Sequence, residues 1–239
     1  TISNNIIEET ENGKGGGILI EGLDYLGLTN VYITGNHSTW GGGGIYSDGT
    51  WGDSGSFLTM DGCSIDNNTS DYVAGGLGLY NVHENTTNIS NTSISGNTGE
   101  ISAISSYLSG SLNLDNVVIK NNISTNGEPT VKQTSDISGF SSLFDHVEIT
   151  DNNAPALHFY SDSWEDNLNL NHCTIANNNQ DNINNYDAIK YEGIGGLYVN
   201  NSILYTVDGA EDEINFSAWG LEVHHSDING GSNGIIDGS

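Results

Sequence analysis

The 239-residue chain contains no arginine and only four lysines, Lys14, Lys120, Lys132 and Lys190, against 31 Asp and Glu, for a formal net charge of −27. A phosphate backbone would be repelled by such a surface, and the Lys/Arg footprint that nucleic-acid binding needs is missing, so that class of partner is excluded. The same sign opposes docking onto anionic lipid headgroups. No run of 18 or more apolar residues is present, so no membrane-inserted helix is expected, and no secretory leader is readable at the start of the sequence. Proline occurs twice, methionine once and cysteine twice. No stretch sustains a 3.6-residue apolar period, which removes amphipathic helices as building blocks and leaves an all-β chain. There is no composition break or Pro-rich linker, and residues 1–239 read as a single domain, on its own or as a segment of a longer surface protein.

What the sequence has in abundance is glycine, 32 residues, and asparagine, 33, together with Ser and Thr. A polar, acidic chain with so few basic groups suits an extracellular or cell-surface setting, where divalent cations neutralise the surface.

The asparagines are not scattered. Ile, two polar residues and Asn recur at Ile33/Asn36, Ile65/Asn68, Ile94/Asn97, Ile119/Asn122, Ile149/Asn152 and Ile175/Asn178. Aligned on that isoleucine, the anchors are Ile2, Ile33, Ile65, Ile94, Ile119, Ile149, Ile175, Leu204 and Ile228, spaced by 24 to 32 residues, a solenoid period with loops of variable length. Apolar residues precede each anchor by two and by five positions (Cys63 and Met60 before Ile65, Val117 and Leu114 before Ile119), which describes a strand broken by one extra residue. A second strand follows small residues in most units, as in "GGGILIEG" (15–22), "GGGGIYSDG" (41–49) and "AGGLGLYNV" (74–82).

This pattern resembles the right-handed parallel β-helix, the pectate-lyase-like repeat superfamily, in the form found in bacterial secreted and surface proteins. The resemblance covers essentially the whole chain and implies about eight to nine rungs stacked roughly 4.8 Å apart. Asn5, Asn36, Asn68, Asn97, Asn122, Asn152 and Asn178 are then expected to form an internal asparagine ladder. Each would occupy a left-handed corner, which Asn tolerates, and hydrogen-bond up and down the stack. In the last two units Val207 and Gly231 replace the ladder residue.

Chemistry is harder to read. Cys63 and Cys173 share one inward position but lie four rungs apart, roughly 19 Å at 4.8 Å per rung, so two buried free thiols are expected rather than a disulfide. His146, His172 and His225 fall three before the anchor, in a bend column otherwise holding Asn30, Gly62, Asn91, Asn116 and Asn201; stacking in the turn is the expected role, because adjacent His146 and His172 lack an obvious third metal ligand. The Asp-Asp and Gly-His-Gly stretches of the β-helix polygalacturonases are absent, as is the arginine that β-helix lyases use, and no catalytic residue is expected. No cofactor is required by the reading, though hard oxygen donors in acidic loops make Asp162, Glu165 and Asp166, and Asp208, Glu211 and Asp212, candidate calcium ligands; solvated acidic loops are the favoured explanation of both clusters. Glycosylation sequons outside the ladder occur at Asn67, Asn85, Asn88, Asn91, Asn200 and Asn215. Trp40, Trp51, Trp164 and Trp219, with Tyr46, Tyr80 and Tyr160, could stack on sugar rings or cover the core.

Two functions from different classes are consistent with these features. The first expectation is a non-enzymatic extracellular structural module, a rigid stalk or fibre subunit that joins copies end to end through its sheet edges and carries or contacts glycans. The alternative is a β-helix that binds or degrades a polysaccharide in a lateral groove. A cleft lined by aromatics would favour the alternative; a smooth face of Asn, Ser and Thr would favour the first.

Overall fold

A computed structural model describes residues 1–8, 13–22, 25–49, 57–80, 86–107, 110–135, 139–179, 188–205, 213–229 and 235–237. All strand pairing in it is parallel, and no helix occurs among the described residues. The chain is a parallel β-solenoid.

The anchors set its register. Ile2 pairs with Ile33, Ile33 with Ile65, Ile65 with Ile94, and so on through Ile119, Ile149, Ile175, Leu204 and Ile228, in one nine-stranded sheet. From Ile33 to Leu204 every anchor is buried. Burying one such side chain contributes about 1.5–3 kcal/mol, so a column of them is the main apolar spine. The residues five before each anchor form a second column, Leu28, Met60, Ile89, Leu114, Phe144, Leu170 and Val199, again paired rung to rung. Cys63 and Cys173 sit inside as free, buried thiols.

Just after each of the first five anchor strands the chain makes a two-residue strand, such as His37–Ser38 or Thr69–Ser70; these build a five-stranded sheet that periodicity alone does not reveal, because two residues are too few to alternate. The remaining strands belong to one fifteen-stranded sheet with two faces. The first contains Ile18–Glu21, Ile45–Asp48, Leu77–Tyr80, Ile104–Tyr107 and Val131–Ser135; the second contains Tyr25–Thr29, Phe57–Asp61, Thr87–Ser90, Leu112–Asp115 and Ser141–Asp145. The long strand Leu157–Asn171 joins them, its beginning pairing with Val131–Ser135 and its end with Ser141–Asp145.

The asparagine ladder is present and internal. Oδ1 of each ladder residue accepts from both the backbone N–H and the Nδ2 of the one before it: Asn36 donates to Asn68 at 3.0 Å twice, Asn68 to Asn97 at 3.0 and 3.1 Å, and Asn122 to Asn152 at 2.9 and 3.0 Å. From Asn36 to Asn178 each Nδ2 also donates back to an anchor carbonyl, as Asn97 does to Ile65 at 2.8 Å. Asn36, Asn68, Asn97, Asn122, Asn152 and Asn178 are buried, whereas Asn5, in the first described rung, is exposed. Val207 and Gly231 lie outside the described residues.

One expectation is corrected. The ladder asparagines are not the left-handed residues; the residue before each one is. Asn4, Gly35, Asn67, Gly96, Asn121, Asp151 and Asn177 have φ between 54° and 65°. The division of labour is physical: the corner residue takes the unfavourable φ and points outward, which aims the next side chain inward, where it can stack. A second left-handed column falls at Asn30, Gly62, Asn91, Asn116, His146, His172, Asn201 and His225, with φ from 48° to 64°.

Candidate functional site: an aromatic cleft on one face

Strand pairing on the first face of the large sheet places residues from distant units side by side. One outward column runs Leu19, Tyr46, Gly78, Ser105, Lys132, His158 and Lys190; the other runs Glu21, Asp48, Tyr80, Tyr107, Thr134, Tyr160 and Glu192. Lys14 reaches the same face, so three of the four lysines of a strongly acidic chain gather here. Lys120 stands apart, exposed on the anchor sheet.

Within this face lies a cleft of about 410 Å³, its walls formed by Trp40, Tyr46, Tyr80, Tyr107, Ser105 and Lys132 among others. Tyr46 belongs to an outward column yet is only 1% exposed. Glycine makes this possible: a Cβ on Gly78 would stand 2.8 Å from Cδ2 of Tyr46, and one on Gly41 would stand 3.1 Å from its Cε2, so the ring lies in a slot that neither position could offer with a side chain. Trp40 packs edge-on against it at 6.1 Å, and the Lys14 ammonium sits 5.3 Å from the Trp40 ring and 5.1 Å from the Tyr46 ring. Tyr80 and Tyr107 stack at 5.1 Å, with Tyr107 42% exposed as the outer ring.

The polar groups are paired in sign. Lys14 bonds Asp48 at 2.6 Å, Lys132 bonds Glu128 at 2.6 Å, and Glu192 receives Lys190 at 2.8 Å and contacts His158 at 2.8 Å. Burial pushes the His158 imidazole below its usual range despite the pull of Glu192. The Tyr46 phenol is pushed up, first by burial and then by Asp48, and remains protonated. Its hydroxyl is buried without a hydrogen-bond partner among the described residues. Such an orphan donor in an aromatic slot carries a free-energy penalty of about 1–3 kcal/mol.

The other sequence candidates fall elsewhere. Trp164 and Trp219 are 73% and 85% exposed and line no part of the cleft; Trp51 lies outside the described residues. Asp166 is wholly buried: Oδ1 accepts the Gly139 and Phe140 N–H groups at 2.9 Å each, and Oδ2 accepts the Ser161 hydroxyl at 2.7 Å. The long strand turns this residue inward at the corner where the sheet changes face, so Asp162, Glu165 and Asp166 do not converge; Asp162 instead accepts the Tyr160 hydroxyl. Asp208, Glu211, Asp212 and the sequon Asn85 are outside the described residues. Asn67, Asn88 and Asn91 are exposed, and Asn200 and Asn215 half-buried. Asn88 accepts from Asn113, and Asn91 donates to Asp61 while accepting from Asn116, so these amides are already engaged along their columns.

Sequence reading named Tyr46, Tyr80 and Trp40 but missed Lys14, Lys132, Tyr107 and Gly78. Superposing the second strands "GIYSDG", "GLGLYN" and "AISSYL" brings Tyr80 and Tyr107 into one column and Gly78 beside Tyr46, which was the available signal. Comparison of the chain with protein-family models, curated proteins and solved structures finds no match.

Proposed function

We propose that this protein is a non-enzymatic extracellular β-solenoid whose lateral face holds a carbohydrate chain. The observation that carries the reading is the cleft: Trp40, Tyr46, Tyr80 and Tyr107 grouped with Lys14, Lys132 and Ser105 in a space of about 410 Å³. Flat rings stack on the apolar faces of sugars, and ion-paired ammonium and carboxylate groups offer donors and acceptors to hydroxyls without imposing net charge. The face is built on paired strands and is therefore pre-organised. The rest of the solenoid, about nine strands at 4.8 Å, serves as a rigid support about 40 Å long. On this reading the chain is of the pectate-lyase-like β-helix kind used on bacterial surfaces, with the mechanical role of a stalk and the added role of a glycan contact.

The test is a titration of cello-, xylo-, manno- and galacturono-oligosaccharides followed by tryptophan fluorescence and calorimetry. Saturable binding that falls about tenfold or more in Trp40→Ala and Tyr107→Ala, with the far-ultraviolet circular dichroism unchanged, supports the reading. Binding indifferent to both substitutions, or no binding to any soluble glycan, leaves the stalk role alone.

A further inference from the structure

On a different corner of the solenoid the bend between Ser141–Asp145 and Glu148–Thr150 brings together Asp145, His146 and, from the next rung, His172. Oδ1 of Asp145 lies 3.1 Å from Nδ1 of His146 and 3.1 Å from Nδ1 of His172. The two imidazoles stack with centroids 4.7 Å apart and planes 18° from parallel. All three donor atoms lie within 4.8 Å of one another.

This bend column must be left-handed in every rung, and Asn or Gly fills it at 30, 62, 91, 116 and 201. An imidazole there is no easier to place than an asparagine, and Asn serves the same local hydrogen bond: Asn91 donates to Asp61 at 2.7 Å, one rung apart, as His172 does to Asp145. What histidine adds is a nitrogen with metal-binding capacity. Of the three histidines in the column, His146, His172 and His225, the first two occupy adjacent rungs and both reach the Asp145 carboxylate. The third ligand that the sequence did not reveal is Asp145, because only stacking places it between them.

The geometry points to a divalent transition-metal site formed by Asp145, His146 and His172, for an ion of the Zn²⁺, Ni²⁺ or Cu²⁺ class. Ligand atoms about 2.0–2.2 Å from such an ion stand about 3.3 Å apart in a tetrahedral shell, close to the two 3.1 Å separations here. Two imidazoles and one carboxylate are the donors this class prefers, whereas Ca²⁺ takes six to eight oxygens. Both histidine side chains are more than half exposed, leaving the remaining coordination positions to water or to a partner's ligand. Asp115 stands in register beside Asp145 on one side and Asn171 on the other, so a further carboxylate is one rung away.

The column also supplies the control. His146→Asn and His172→Asn install the residue that other rungs already hold at this φ, so the double variant keeps its backbone. Titrating Ni²⁺ and Zn²⁺ into the full chain by calorimetry should give one equivalent bound at micromolar or tighter affinity. The double variant should lose about 30-fold or more, and Asp145→Asn about tenfold. With Cu²⁺, electron paramagnetic resonance should report two nitrogen ligands in the natural chain and none in the double variant. Undetectable Ni²⁺ and Zn²⁺ binding, or an affinity that the double variant shares, would overturn the assignment; the latter result would place the ions on the acidic surface instead.

Discussion

Replacing Asn97 by alanine cuts the ladder at its middle, and its cost can be worked from the contacts. The Asn97 amide takes part in four hydrogen bonds: Oδ1 accepts the Asn68 backbone N–H at 3.0 Å and Asn68 Nδ2 at 3.1 Å, while Nδ2 donates to the Ile65 carbonyl at 2.8 Å and to Asn122 Oδ1 at 3.1 Å. Alanine removes all four in a dry interior. Asn68 N–H is stranded, and the Ile65 carbonyl loses this donor. Asn68 Nδ2 keeps the Ile33 carbonyl, and Asn122 Oδ1 keeps the backbone N–H of residue 97, so these two suffer less. At about 1–3 kcal/mol for a buried group left unmade, the total is about 3–5 kcal/mol. Asn5→Ala, at the exposed start of the ladder, removes only the Nδ2 donation to Asn36 at 2.9 Å, keeps the backbone N–H donation to the same oxygen and strands no buried donor; it should cost under about 1 kcal/mol. Urea unfolding would compare the two variants, and hydrogen exchange at the Asn68 amide would localise the effect, since a solenoid can open rung by rung. An Asn97→Ala variant within about 1 kcal/mol of Asn5→Ala, with Asn68 still protected, would refute the claim that the ladder stabilises the stack.

Tyr46→Phe deletes a buried hydroxyl that has no partner and should raise thermal stability, by an amount in the range of about 1–3 kcal/mol; a loss of stability would show that the hydroxyl is satisfied. Gly78→Val drives a side chain into the Tyr46 ring and should destabilise by about 1–3 kcal/mol while altering the near-ultraviolet dichroism of the cleft; an unchanged spectrum would contradict the slot. Burial pushes the Cys173 thiol up to about 11 from an ordinary 9.0. The folded chain therefore holds that proton more tightly than the unfolded one, so this thiol's contribution is intact below pH 9 and is lost as pH rises from there toward 11; Cys173→Ala should flatten that part of the stability profile, and a thiol reagent at pH 8 should label Cys173 only after unfolding. For His158 the sign is opposite: its folded value lies below the ordinary one, so stability falls as pH drops through the usual histidine range, and His158→Gln should remove that acid-side slope.

The sequence by itself determined the repeat, the anchors and the ladder. Ile33, Ile65 and Ile94 lie at one offset from Asn36, Asn68 and Asn97, and that local spacing is enough to specify which side chains face inward, because a strand alternates with period two. The buried thiols followed from the same offset. What the sequence left open depends on neighbours supplied by other rungs. Units differ in length by up to eight residues, so no fixed spacing links Lys132 to Tyr107 or Gly78 to Tyr46; only in-register pairing, which sets successive rungs about 4.8 Å apart, makes them one surface. Asp166 reads as an exposed loop acid until the strand from Leu157 to Asn171 carries it through a corner and turns it toward two backbone N–H groups. Asp145 likewise comes within reach of two imidazoles only when His172, 27 residues later, is laid over His146. Period two is a property of one strand and is written in its residues, whereas a site in a solenoid is a column across strands, and a column exists only once the chain has stacked.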